Sequence, residues 1–116
     1  MEYKKIGETY YIRMDRDDEV IANILEVCHR ESIPSAIFSS IGGCGNAELQ
    51  VFSQLYHHTH ALFSFKKDGQ HGMAGGHLKA TTVRYTAEIE LRPTIGGAIT
   101  RKFDPETGTG FWNFKN

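Results

Sequence analysis

Five of the six histidines in this chain, His57, His58, His60, His71 and His77, fall in one short stretch. Neutral imidazole is the commonest metal ligand among side chains, and its charge changes near neutral pH. His58 and His60 are separated by one residue. On a strand, positions i and i+2 share a face, so both rings project to the same side and approach one ion without distorting the backbone. His77 follows Gly75-Gly76, and glycines permit the close backbone approach that brings a third ring beside the first two. Three neutral imidazoles at about 2.0–2.1 Å suit zinc, with a fourth position open for water or another ligand. Imidazole does not select zinc strictly. Nickel, copper or iron fit the same cage, and availability then decides.

The plainer reading is that these histidines are half-exposed polar residues on a solvated strand. His57 faces away if the strand begins at position 58, and it stays outside the set. His71 competes as a ligand from a turn. His29 falls in a helix, where a basic ring suits the C-terminal end of the dipole.

Other residues invite chemistry less strongly. Gly42-Gly43-Cys44-Gly45 offers backbone N–H groups to an anion, but no helix with P-loop spacing follows, and a structural turn is the better reading. Cys44 has no histidine in its sequence context to make it a nucleophile. Glu88 and Glu90 share a strand face and read as the solvated side of an antiparallel strand before they read as paired acid–base carboxylates. Lys66 and Lys67 read as a hairpin end.

The elements that must position these residues follow from periodicity. A strand is expected over 9–14, where Tyr10, Ile12 and Met14 alternate with Tyr11 and Arg13. Asp17 is the expected helix N-cap, with Asp18 and Glu19 at the positive end of the dipole. Val20, Ile21, Ile24, Leu25, Val27 and Cys28 then make one apolar stripe. The helix stops near Ser32, because Pro34 disfavours helical geometry at Ile33. A buried strand is expected over 35–41, a turn at Gly42-Gly43-Cys44-Gly45-Asn46, and strands over 47–53 and 58–65. Lys67-Asp68-Gly69-Gln70 predicts a hairpin turn, and Gly72 with Gly75-Gly76 an irregular connection. The clearest strand is 83–91, with Val83, Tyr85, Ala87, Ile89 and Leu91 on one face. Pro93 ends it, Ile95-Gly96-Gly97 turns the chain, and a last strand spans 98–103. Asp104-Pro105-Glu106-Thr107-Gly108 is a surface turn before a short aromatic tail. One helix near the N-terminus and many strands make an α+β domain with a mainly antiparallel sheet.

The chain has 116 residues, which predicts a single domain over 1–116 able to bury roughly two-thirds of its unfolded surface. Thirteen basic and fourteen acidic residues leave a net charge of −1, which excludes a nucleic-acid binder held by net charge but not a local basic patch. A hydrophobic content of 40% excludes a disordered chain. No apolar run reaches the roughly 20 residues that cross a bilayer. Met1-Glu2-Tyr3-Lys4-Lys5 holds no apolar signal-peptide core, so a cytoplasmic protein with Cys28 and Cys44 reduced is expected.

The order of these features resembles a known family. Ile24-Leu25 in the helix is followed by Ile37-Phe38-Ser39-Ser40-Ile41-Gly42-Gly43 and Ala47-Glu48-Leu49. Then come His58-Thr59-His60, Gly75-Gly76-His77-Leu78 and the 83–91 strand. This pattern is similar to the PPC domain, also called DUF296, of short prokaryotic proteins and plant AT-hook nuclear proteins. The resemblance runs from about Tyr10 to Phe103. It implies an α+β domain that assembles as a homotrimer, with a zinc site at His58, His60 and His77. It also brings the family's usual label of DNA-binding protein with a PD1-like motif, which rests on analogy. Two departures stand out. Gln54-Leu55-Tyr56-His57 replaces a longer block that members usually carry before the H-x-H pair, and no Arg-Gly-Arg-Pro AT-hook is present.

Three functions fit this reading. The first is a homotrimeric zinc-binding module with a regulatory or DNA-associated role. The second is a small zinc-dependent enzyme whose open coordination position activates water, with Glu48, Glu88 or Glu90 as the available general base. The third is a structural oligomer whose histidines only fix the fold.

Overall fold

Tyr10, Ile12 and Met14 are all buried, as their alternation requires, and they lie on a strand spanning Thr9–Met14. The computed structural model describes residues 1–50 and 57–114. Chain order is β1 (Glu2–Ile6), β2 (Thr9–Met14), α1 (Val20–Arg30), β3 (Ala36–Gln50), β4 (His60–Lys67), β5 (Gln70–Pro93), β6 (Thr100–Asp104) and β7 (Thr109–Asn113). Strands pair antiparallel in the order β1-β2-β5-β3, with β4 also on β5, and β6-β7 form a separate hairpin. The expected fold class, α+β with a mainly antiparallel sheet, is therefore the one observed. No helix among the described residues is long and apolar enough to cross a membrane.

The core forms where α1 lies on the sheet. Val20, Ile24 and Val27 pack with Tyr10, Ile12, Met14, Val83, Ala87, Ile89 and Leu91. Leu25, expected in the helix stripe, is exposed. The cap is also different from the expected one. Asp17 adopts a positive φ and its N–H donates to the Val83 carbonyl at 2.9 Å, which ties it to β5 and leaves it outside the helix. Glu19 caps instead, accepting from Ile21 N at 3.0 Å and Ala22 N at 2.9 Å. Its Oε2 also accepts from Thr81 N at 2.9 Å, so one carboxylate fastens the helix start to β5. At the other end, Ser32 takes a left-handed conformation and closes the helix before Pro34 acts.

Two expected interruptions of the sheet are absent. The glycine-rich stretch 42–46 is no turn: β3 runs through it as one strand, with register shifts at Gly42/Cys44 and Cys44/Asn46. The reason is close approach. A Cβ on Gly42 would meet the Thr86 carbonyl oxygen at 2.5 Å and Ala87 Cα at 2.8 Å, so glycine lets β3 lie against β5 here. The segment 35–41 is not buried either, since Ile37 and Ile41 are exposed. Positions 51–53 of the expected 47–53 strand lie outside the described residues. Likewise, β5 continues through Gly72, Gly75 and Gly76 as part of a single 24-residue strand. Within it Tyr85 is 74% exposed, although it shares parity with Val83 and Ala87, because residues 84–86 of β5 stand opposite Gly43 alone and β5 bulges there.

The Lys67–Gln70 turn is as expected, with Asp68 and Gly69 both at positive φ. Two strands carry no clear sequence signal. β1 is a charged edge strand, and β7 is the aromatic tail, folded back on β6. Asp104 holds the turn between β6 and β7, accepting from Thr107 Oγ1 at 2.8 Å and Thr107 N at 3.2 Å.

Candidate metal centre

His77 sits where three strands meet. On β5 it pairs directly with His60 of β4 on one side and with Gln50 of β3 on the other. Directly opposed residues of an antiparallel pair send their side chains to one face. The ring centroids of His60 and His77 are accordingly 4.2 Å apart. His58 arrives by a different route from the shared strand face expected of it, because it precedes β4. The Thr59 carbonyl accepts from Leu78 N at 2.8 Å, and Thr59 is buried, so the approach to β4 is pinned against β5. The His58 ring then lies 4.9 Å from His60 and 5.1 Å from His77, centroid to centroid.

The nitrogens converge more closely than the rings. His58 Nε2 and His60 Nε2 are 2.9 Å apart. One ligand atom from each of His58, His60 and His77 falls within 4.8 Å of the others. Burial holds the His58 imidazole below its ordinary pKa, and the Arg101 guanidinium and the neighbouring histidines push the same way. The neutral form, the one that ligates, is thereby favoured. His77 Nδ1 is buried and unpartnered, as is the amide nitrogen of Gln50 opposite it. This donor set fits a cation of the zinc type: three imidazoles with clustered nitrogens.

The competing residues lie elsewhere. His71 is exposed on β5 opposite Lys66, at the hairpin tip. His57 is half-buried with its Nδ1 3.4 Å from Thr59 Oγ1, and burial lowers its pKa against the opposing pull of Glu19. His29 lies in the last turn of α1, as expected. Cys44 faces Val83 on β3, and Cys44 and Cys28 are free thiols. Glu48 is paired with Lys79 at 3.2 Å. Glu88 and Glu90 line a separate open groove of about 630 Å³ on the sheet, beside Arg13 and Lys4. Among the described residues no carboxylate joins the histidine group.

The sequence pattern did not single out the wall beside His58. A shallow depression of about 390 Å³, open to the surface, is lined by His58, Arg101, Gly110, Phe111 and Trp112. The β6–β7 hairpin supplies all of it except the histidine. The chain's one tryptophan, in a tail with an arginine two strand-lengths back, was the available signal.

The profile of the Plants and Prokaryotes Conserved (PCC) domain matches residues 1–65. No protein of curated function matches the chain. Among solved structures, a protein of Bacteroides thetaiotaomicron, provisionally described as DNA-binding, is 20% identical with a TM-score of 0.82, covering 97% of this chain and 96% of that one. A plant- and prokaryote-conserved (PPC) protein of Pyrococcus horikoshii is 22% identical with a TM-score of 0.71, covering 99% and 96%. A protein of Archaeoglobus fulgidus described as metal-containing is 20% identical with a TM-score of 0.68, covering 97% and 99%. At these identities the likeness is one of fold.

Proposed function

Because the chain belongs to the Plants and Prokaryotes Conserved (PCC) domain family, we propose that it is a homotrimeric metal-binding module in which His58, His60 and His77 hold one zinc ion. The observation that carries this reading is the 2.9 Å approach of two Nε2 atoms with a third imidazole beside them. The metal-containing relative of the same fold supports it. A bound zinc ion supplies a Lewis acid with one open coordination position. The chain's own contribution is to hold three rings on two strands and one pinned loop, with His58 kept neutral. The enzyme reading ranks second, since Glu48, Glu88 and Glu90, the carboxylates weighed as general base, are engaged or placed elsewhere.

A homotrimer accounts for apolar surface that one chain leaves in water. Ile41 is 76% and Leu62 69% exposed, with Met73 and Tyr85 also exposed on the same sheet. A DNA-associated role rests on the description given to relatives, and Lys4, Lys5, Lys66, Lys67 and Lys102 are basic residues available for phosphate contact, while the Arg101 guanidinium is held on Gly110. Free Cys28 and Cys44 suit a reducing cytoplasm.

Elemental analysis of purified protein tests the metal. About one zinc per chain is expected, and it is lost in His58→Ala and His60→Ala. Metal content unchanged by both substitutions rejects the site. Light scattering after size exclusion reads the trimer, and a gel shift at about 50 mM salt reads the DNA contact, where the electrostatic term is strongest.

A further inference from the structure

Arg101 and His58 line the same shallow, open depression. Its guanidinium donates to the Gly110 carbonyl across the β6–β7 pair, which fixes the side chain in place. Its Nε is buried without a partner among the described residues. Among the described residues no carboxylate pairs with it. A buried N–H that has given up water and gained nothing is an incomplete interaction.

A cation held by His58 makes this arrangement more demanding. The Arg101 guanidinium is close enough to act on the His58 ring, so an ion held on that ring would be repelled by it, and an anion placed between the two charges converts the repulsion into two attractions. The remaining walls indicate what the anion carries. Phe111 and Trp112 expose 49% and 53% of their surfaces, and flat apolar rings of that kind take a flat apolar body. Gly110 and these two rings bring no further charged donor to the cavity. A carboxylate has two oxygens to place, one for each positive partner. A phosphate has a further charged oxygen, which the aromatic wall leaves unpaired at a penalty.

We propose that the cavity of Arg101, Phe111 and Trp112 beside His58 binds a small aromatic carboxylate, its charge shared between Arg101 and the metal; this rests on the metal reading above. Trp112 is the only tryptophan of the chain, so its emission reports the cavity. Zinc-loaded protein is titrated with benzoate, and with acetate and inorganic phosphate as comparisons, while zinc is measured in the same samples. Saturable change with benzoate is expected, weakened at least about tenfold by zinc removal and by Arg101→Gln, with the zinc content of that variant unchanged. Phe111→Ala is expected to weaken benzoate while leaving acetate as it was. Full zinc occupancy without a benzoate response overturns this inference alone, as does native-like benzoate binding by zinc-loaded Arg101→Gln. Phosphate binding tighter than benzoate overturns the carboxylate assignment. A chain that takes up no zinc overturns the metal reading and this inference with it.

Discussion

The Nε2 atoms of His58 and His60 face each other at 2.9 Å. Neutral imidazole carries one lone pair and one N–H, so without a cation one ring must turn its N–H toward the other. Two lone pairs can face each other only with a positive charge between them. Ligands on a tetrahedral ion at 2.0–2.1 Å sit roughly 3.3 Å apart, so a small opening of this pair admits zinc.

The third ligand should be His77 and not His71. His77→Ala is expected to reduce zinc affinity by more than the ~10–100-fold that follows loss of a hydrogen-bonding neighbour. His71→Ala, at the exposed hairpin tip, is expected to leave it unchanged. Competition with a chromogenic chelator measures both, and equal effects would remove His77 from the set.

Gln50 is expected to orient His77. The two are opposed across β3 and β5, and each has a buried nitrogen with no partner. A Gln50 amide oxygen brought to the ring would accept from a protonated Nδ1 and leave Nε2 for the ion. Gln50→Ala should weaken zinc binding about 10–100-fold without unfolding the protein. Gln50→Glu, which keeps the acceptor, should restore most of it. Native affinity in Gln50→Ala would disprove the role.

Much of this was legible in the chain because strand periodicity is local. Tyr10, Ile12 and Met14 declare their burial by alternation, and the His58/His60 pair is marked by its spacing even though His58 lies before β4 and not on its face. What escaped depends on partners distant in sequence. Gly42 reads as a turn until Ala87 is seen lying against it, and Asp17 reads as a cap until Val83 is seen holding its N–H. Tyr85 has the parity of a core residue and is turned outward by a bulge of β5 that only its pairing with β3 reveals. Arg101 and Trp112 look ordinary because only the fold of the β6–β7 hairpin brings them to His58.

Gly42→Ala tests the strand assignment directly. The added methyl meets backbone at 2.5 and 2.8 Å, so β3 or β5 must move. A loss of about 1–3 kcal/mol is expected, the range for overpacking a close contact. Gly69→Asn, in the hairpin turn where positive φ is tolerated by asparagine, should cost far less. Urea unfolding of both variants measures the contrast. If 42–46 were a loose turn, Gly42→Ala would be nearly neutral.

Acid should destabilise the metal-free protein partly through His58. Its folded pKa is depressed, by burial first and then by Arg101 and the other rings, from an ordinary 6.5. As pH falls below 6.5, the unfolded chain takes up a proton that the folded chain refuses. Stability therefore declines from that value down to the folded pKa and levels off below it, while above the window this term is fully present. His57 is shifted in the same direction, but it contributes equally to wild type and to a His58 variant. Urea midpoints of metal-free wild type and His58→Gln at about pH 7.5 and pH 5.5 isolate the difference, with the larger acid-induced drop expected in wild type. Zinc should oppose the drop at the higher pH and be released at the lower, because only neutral imidazole ligates. Equal drops in the two metal-free proteins would mean that the His58 ring is as easily protonated in the fold as in the unfolded chain.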